Sequence, residues 1–319
     1  MEDYEKMEQP HVLNFNDVKQ AIENIEGSVI HTPLCEAKIS KYMDYNIYLK
    51  CENLQYTGSV AERGVRNAFC CSESAAKRGV VVPSNGSMAL AAAYHGRALG
   101  VPGAECAKVP KMMKALQAGK PTNVPVVSNL AEGLNASSVG ANAFATIRGK
   151  LDRMLVVEES SIAQAMVSVL ERERLVADGA GVCAVAAVMQ GLVPELRGKR
   201  AVCVISGGNI DCGSLSRNIQ RGLGASGRLL RFAVPVPDHR NGLANLAKVV
   251  SEQNVVLKSM VTDQMPVYCD VGATWANVVV ETGSDEQAAS FKDRVRDVYP
   301  RARFTISDLD DKQKHSCRP

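Results

Sequence analysis

The spacing of apolar and polar positions divides the chain into two blocks. In the first, residues 14–222, helical and strand-like patterns alternate, as in α/β proteins. Apolar residues recur at helical spacing from Phe15 to Ile25 and predict a helix that Asn16 or Asp17 caps. Strands are predicted at 46–50, 79–82 and 200–205, and the last has the apolar pattern of a buried strand. Further helices are predicted at 88–99 and at 160–175, and Ser160 and Ser161 begin the second of these.

The second block follows a glycine-rich joint at residues 222–227. Its patterns predict strands at 229–236, 255–261, 274–281 and 303–306, and helices at 243–253 and 284–299. Ser284 and Gln287 have the spacing of a capping box at the start of the last helix. The order strand–helix–strand–strand–helix–strand is that of a ferredoxin-like domain. Residues 1–13 and the polar tail at 309–319 are predicted to be flexible.

Composition narrows the classes of protein further. The 319 residues are 46% hydrophobic and 22% charged with a net charge of +3, which does not favour binding to nucleic acid or to an anionic membrane. No apolar run is long enough for a membrane span, and the acidic, polar start lacks a secretory signal, so we expect a cytoplasmic protein. The 10 cysteines include no C-x-x-C pair, and we expect mostly buried, reduced thiols and no metal site.

One segment carries a specific resemblance. Residues 50–68, KCENLQYTGSVAERGVRNA, resemble the K-x-E-N-x-Q-x-T-G-S-F-K-x-R-G-A-x-N segment of the pyridoxal-phosphate (PLP) serine/threonine dehydratases, or ammonia-lyases. In that family the second lysine carries the cofactor as a Schiff base. Here Ala61 occupies that position. Alanine has no amine to condense with an aldehyde and no base to accept a proton, so the resemblance implies no catalytic residue in this chain.

The resemblance continues along most of the chain. Residues 79–96 follow the family's G-V-V-x-x-S-A-G-N-H-A-Q-x-x-A-Y-x-G pattern, and residues 128–187 and 197–224 are similar to its second half. It implies a fold-type II (tryptophan synthase β-like) α/β domain with a parallel sheet at 14–224. The second block resembles an ACT domain, a ferredoxin-like module that binds small amino acids, at 225–308. Its candidate ligand residues are Asp238, Asn241 and Gly242.

A gap interrupts the resemblance between residues 102 and 103. There the sequence passes to a segment that the family carries well beyond its glycine-rich phosphate loop, and no G-G-G-G run is present. A phosphate needs several converging backbone amides. The sheet is therefore expected to be partly deleted, and PLP, the cofactor of the family, to be absent or weakly held here.

Three other residues stand at positions that hold the cofactor in the family. Ser87 replaces the asparagine that holds the phenolic oxygen, Asp178 replaces a glutamate near the ring, and Ser206 matches the partner of the pyridine nitrogen. The alternative for the serines is that they cap helices or form turns. Glu105 matches one ligand of a metal site found in some members, but Lys111 stands where the next oxygen ligand is expected, which argues against that site.

Two functional hypotheses follow. In the first, the chain is a non-catalytic homologue that serves binding, regulation or assembly, as a homo-oligomer or with an intact paralogue, with a small amino acid as ligand of the ACT-like block. In the second, it is an active L-serine/L-threonine ammonia-lyase, giving a 2-oxo acid and ammonia through some other lysine. Ala61, Ser87 and the missing glycine loop favour the first. A third reading is that the chain is a misassembled gene model.

Overall fold

The computed structural model describes residues 12–71, 87–99, 118–120, 130–134, 139–263 and 272–304. The chain divides into a first unit, residues 1–219, and a second unit, residues 220–319. The predicted strand at 79–82 and the predicted gap at 102/103 lie outside the described residues. Of the helices that the structure describes, none combines the length and apolar character needed to cross a bilayer.

The first unit surrounds a three-stranded sheet. Its elements in chain order are α1 (Phe15–Ile25), β1 (Leu34–Glu36), β2 (Asn46–Cys51), α2 (Ala61–Cys71), α3 (Ser87–Leu99), α4 (Ala141–Ile147), α5 (Glu159–Ser168), which continues as one π-helical turn to Glu173, α6 (Cys183–Met189) and β3 (Arg200–Ile205). Helix α7 (Cys212–Ala225) begins in this unit and ends in the second. The strand order is β1-β2-β3. β2 and β3 are parallel, but β1 and β2 are antiparallel, so the sheet is mixed.

The core of this unit lies on one face of the sheet. Side chains that alternate along β2 and β3 point inward and pack on α5 and α6; they include Ile47, Leu49, Cys51, Cys203 and Ile205. The intervening Val202 and Val204 are 58% and 43% exposed. The prediction that β3 is a fully buried strand is therefore wrong within the described part of the chain, since only one of its faces is covered.

Two helix starts differ from the sequence prediction. α1 is capped by Asn14, whose side chain accepts from the N–H groups of Asn16 and Asp17, while Asp17 bonds back to the Asn14 N–H. The capping residue thus precedes the predicted Asn16 or Asp17. α5 begins at Glu159, one residue before the predicted Ser160.

The second unit is a ferredoxin-like domain, as its strand and helix order predicted. It consists of β4 (Leu229–Pro237), α8 (Gly242–Ser251), β5 (Val256–Asp263), β6 (Ala273–Glu281), α9 (Asp285–Val298) and β7 (Arg303–Phe304). The four strands form an antiparallel sheet in the order β5-β6-β4-β7. Phe232 and Phe291 are fully buried between the sheet and the helices. Ser284 caps α9 by accepting from the Gln287 N–H at 3.2 Å, which is one half of the predicted capping box. In place of the other half, the Gln287 side chain accepts from the Gly283 N–H at 2.7 Å.

Candidate functional site

Two loops far apart in the sequence meet at the carboxyl end of β3. We call residues 57–60 and 206–209 the paired loops. The Val60 N–H donates to the Ser206 carbonyl at 2.9 Å, and the Gly208 N–H donates to the Gly58 carbonyl at 3.0 Å. Ser59 and Gly207 form an isolated antiparallel bridge between these contacts. The backbone therefore joins the segment beside Ala61 to the segment that contains Ser206.

Two positions at this junction require glycine, Gly58 for its positive φ and the nearby Asn209 side chain, and Gly181 for close backbone approach. Gly58 has φ +73°, and a Cβ there would lie 2.6 Å from Asn209 Oδ1. A Cβ on Gly181 would lie 2.2 Å from the carbonyl oxygen of Gly207. A third segment, residues 178–181, thus packs so tightly against the paired loops that no side chain fits between Gly181 and Gly207.

Asp178 belongs to this third segment. Its N–H donates to the Gly207 carbonyl at 3.1 Å, and its Oδ1 accepts from the Gly181 N–H at 2.7 Å. Burial raises the pKa of the Asp178 carboxyl, although hydrogen bonds from the backbone N–H groups of Gly181, Asn209 and Ala180 act in the opposite direction. Asp178 therefore lies under the paired loops, where it binds backbone groups.

Ser87 is held by the same loops. The Asn209 Nδ2 group donates to Ser87 Oγ at 3.1 Å and to the Thr57 carbonyl at 2.7 Å. Because Ser87 is the first residue of α3, these two bonds attach the start of that helix to the paired loops. Asn209 was not singled out in the sequence, although it ends the Ser-Gly-Gly-Asn run.

Ser206 is half-buried and follows β3 directly. Its carbonyl accepts from Val60, while its hydroxyl makes no hydrogen bond to the part of the chain that the structure describes. The structure therefore brings Ser87, Asp178 and Ser206 around one junction, close to Ala61. Their roles toward a cofactor stay predictions.

Ala61 is the first residue of α2, and its N–H donates to Ser59 Oγ at 3.2 Å. Its methyl group supplies neither an amine nor a base. The nearest upstream lysine, Lys50, donates from Nζ to the Thr32 carbonyl at 2.6 Å and lies 3.7 Å from a Glu52 carboxylate oxygen. The residues at this junction therefore do not fit a covalently held PLP.

A buried carboxylate organises the segment between β2 and α2. Glu52 is 2% exposed and accepts two hydrogen bonds of 2.8 Å from the Arg63 guanidinium. It also accepts from the Thr32 hydroxyl at 2.7 Å and from the Gln55 amide at 3.2 Å. Burial alone would raise the pKa of Glu52, but these hydrogen bonds and the Arg63 charge lower it to about 2. The sequence motif contains this glutamate and this arginine, yet nothing in their spacing indicates that they bind each other.

The predicted ligand residues of the second unit lie in the turn between β4 and α8 and at the first residue of that helix. The Asp238 N–H donates to the Gly272 carbonyl at 2.8 Å, Asn241 is exposed, and a Cβ on Gly242 would lie 2.0 Å from the Pro237 carbonyl oxygen. A groove of about 480 Å³ lies beside Pro237 and is also lined by Ala273 and Tyr299. Binding of an amino acid here stays a prediction.

Glu105 and Lys111, at the positions of the family's metal site, lie outside the described residues.

Comparison with known proteins identifies relatives of the first unit. The family model described as pyridoxal-phosphate dependent enzyme matches residues 25–104 and 101–207, more than half of the chain. The L-threonine ammonia-lyase of Geobacter sulfurreducens is 38% identical over 188 residues, which are 59% of this chain and 46% of that protein. The L-threonine ammonia-lyase of Thermotoga maritima is 32% identical over 180 residues, 56% and 44% of the two chains. The chain thus spans about half the length of the curated relatives it matches.

Solved structures show the same fold. The threonine deaminase of T.th. superposes with a TM-score of 0.56 at 21% identity, covering 62% of this chain and 99% of that one. Serine racemase from Dictyostelium discoideum gives 0.54 at 20% identity, covering 63% and 100%. The predicted fold-type II architecture of the first unit is confirmed.

Proposed function

The chain belongs to the family of pyridoxal-phosphate dependent enzymes, and from that premise we propose that it is a serine/threonine dehydratase homologue without the PLP-dependent reaction. Its role is binding, regulation or assembly, as a homo-oligomer or with an intact relative. The observation that carries the proposal is Ala61, which contributes only a backbone N–H where the family has its cofactor lysine.

Two contacts support the proposal that the loss of cofactor chemistry extends beyond position 61. The Lys50 amine already donates to the Thr32 carbonyl and lies 3.7 Å from a Glu52 carboxylate oxygen, so it is held beside Glu52. The Ser87 hydroxyl accepts from Asn209, so the residue at the phenolic-oxygen position is used to attach α3. The family model also matches in two pieces that meet at residues 101–104, beside the gap predicted from the sequence.

Cofactor binding and turnover test this proposal directly. The protein is incubated with PLP and desalted, its near-visible spectrum is recorded before and after borohydride, and ammonia release from L-serine and L-threonine is assayed. We expect no reducible chromophore and no ammonia, because Ala61 offers no amine. The G. sulfurreducens L-threonine ammonia-lyase serves as the active control.

The Ala61→Lys variant separates a single lost residue from a wider loss. It returns the amine alone, and we expect it to release no ammonia either, since Ser87 remains bound to Asn209 and no G-G-G-G run is present. A stoichiometric chromophore on the wild-type protein, mapped to Lys50 or any other lysine, would establish the alternative of an active L-serine/L-threonine ammonia-lyase.

The second unit provides the site for a small amino acid in this proposal. At ten times the dissociation constant, a ligand stabilises the folded state by about 1.4 kcal/mol, which shifts the melting temperature of a domain of this size by several degrees. We expect such a shift with at least one amino acid, and its reduction in Asp238→Ala, which removes an exposed carboxylate directly after Pro237, a residue that lines the groove. Asp293→Ala, on a side chain that is 76% exposed, is the matched control. The absence of a shift with every common amino acid would exclude this role.

A further inference from the structure

A buried pair of titratable side chains lies between α2 and α3. Glu62 is 0% and His95 is 3% exposed, and Glu62 Oε1 lies 3.4 Å from His95 Nε2. The two atoms are not aligned as a hydrogen bond, and neither has another partner among the residues that the structure describes. A buried carboxylate and a buried imidazole that face each other without a hydrogen bond are sensitive to the addition of one proton.

The described surroundings of the pair contain few other ionisable groups. Arg66 lies one turn after Glu62 on α2, and its Nε is also buried without a partner among the described residues. On α3, the Tyr94 ring meets the imidazole edge-on with 5.0 Å between centroids. Tyr56 stacks on Tyr94 at 5.5 Å. The charges that act on His95 from the described residues are therefore those of Glu62 and Arg66.

Burial is the largest influence on the imidazole and lowers the pKa of His95 from its ordinary value of 6.5. The nearby Arg66 lowers it as well, while the Glu62 carboxylate raises it in part. The packed arrangement consequently favours neutral His95. When α3 moves away from α2, the His95 imidazole becomes exposed to water and accepts a proton more readily.

We propose that Glu62 and His95 form a pH-sensitive latch that keeps α3 packed on α2 at neutral pH and releases it on acidification. The latch does not use the residues that define the cofactor motif. Glu62, Arg66 and His95 occupy positions that the family patterns quoted above leave open.

The latch is connected to the candidate site. Glu62 Oε2 accepts from both the N–H and the hydroxyl of Thr57, each at 2.7 Å, and so holds the first of the paired loops. At the other end, α3 begins with Ser87, which is bound by Asn209. Release of α3 from α2 therefore also removes Ser87 from the junction and opens that side of the site.

Linkage sets the direction and the size of the effect. Because the pKa of His95 is lowered in the packed state, the latch is fully closed above pH 6.5 and weakens as the pH falls toward the lowered value. Within that window, the equilibrium constant for opening rises by up to about tenfold per pH unit.

Hydrogen exchange measured on residues 87–99 tests the latch. After correction for intrinsic rates, the opening constant of the wild-type protein should rise as the pH falls below 6.5. His95→Gln keeps a polar side chain but does not titrate, and should lose this rise. His31→Gln, at an exposed histidine on another segment, should retain it.

Histidine-labelled NMR of the folded protein gives a second measurement, which is independent of hydrogen exchange. His95 should titrate below 6.5, and further below in Glu62→Gln, which removes the carboxylate that favours the proton. The latch is refuted if His95 titrates at 6.5 or above, or if His95→Gln shows the wild-type pH dependence of opening.

Discussion

Replacement of Glu52 by glutamine is expected to lower the free energy of unfolding of the first unit by about 3 kcal/mol. The glutamine amide cannot satisfy both Arg63 hydrogen bonds, each 2.8 Å long, and leaves the guanidinium without its counter-charge. Thr32 and Gln55 lose the same charged acceptor. Denaturant unfolding followed by circular dichroism measures the change.

Glu195→Gln is the matched control for this prediction. It removes a carboxylate that also accepts from an arginine, Arg153, at 2.7 Å, but the two side chains are 52% and 50% exposed. Exposed pairs of this kind contribute about 0–1 kcal/mol. Equal losses in the two variants would show that burial of the Glu52 pair does not matter.

The same carboxylate gives the first unit a defined acid sensitivity. The pKa of Glu52 is about 2 in the folded state, below its ordinary value of 4.5. The ionised Glu52 carboxylate therefore stabilises the fold fully above pH 4.5, and this stabilisation is lost as the pH falls toward 2. Between pH 2 and 4.5, the free energy of unfolding should depend less on pH in Glu52→Gln than in the wild-type protein.

The second large effect is expected from Gly181→Ala, which should destabilise the first unit by about 3 kcal/mol or more. The new Cβ would lie 2.2 Å from the Gly207 carbonyl oxygen and 3.0 Å from its nitrogen. Both are backbone atoms, so one of the two segments must shift. The Asp178 hydrogen bond to the Gly207 carbonyl lies at the same contact and should weaken with it.

Gly64→Ala makes the same chemical change where there is room for it. Gly64 lies within α2, and a Cβ there meets no atom within 4 Å. Alanine at this position should stabilise the helix by about 0.5–1 kcal/mol. If Gly181→Ala were tolerated equally well, the close packing of the third segment against the paired loops would be disproved.

Local patterns are sufficient to predict the elements that have a regular period. The helix at Phe15–Ile25 and the strand at Arg200–Ile205 have the predicted bounds, because period and flanking residues agree there. The order of elements in the second unit also predicts its sheet, since few topologies accommodate that order.

The junction at the site cannot be predicted in the same way. Asn209 and Thr57 are 152 positions apart, and no local pattern reports their contact. Helix α2 is not among the predicted elements, since its sequence was interpreted only as a cofactor motif. The Glu62–His95 pair was missed because each residue lies alone within a helical segment, and only the packing of α2 on α3 brings them together.

The way in which the paired loops are held has a consequence for how this chain can vary. The Ser206 carbonyl accepts from the Val60 N–H across the loops, and the Ala61 N–H donates to Ser59 Oγ beside them. The contacts made by positions 61 and 206 thus use backbone groups, which do not depend on the side chain, except that proline lacks the N–H. A substitution at position 61 or 206 can therefore keep these contacts, whereas the contacts of Gly58, Gly181 and Glu52 depend on the residue type. The reactive amine at position 61 can therefore be lost without losing the contacts that hold this junction together.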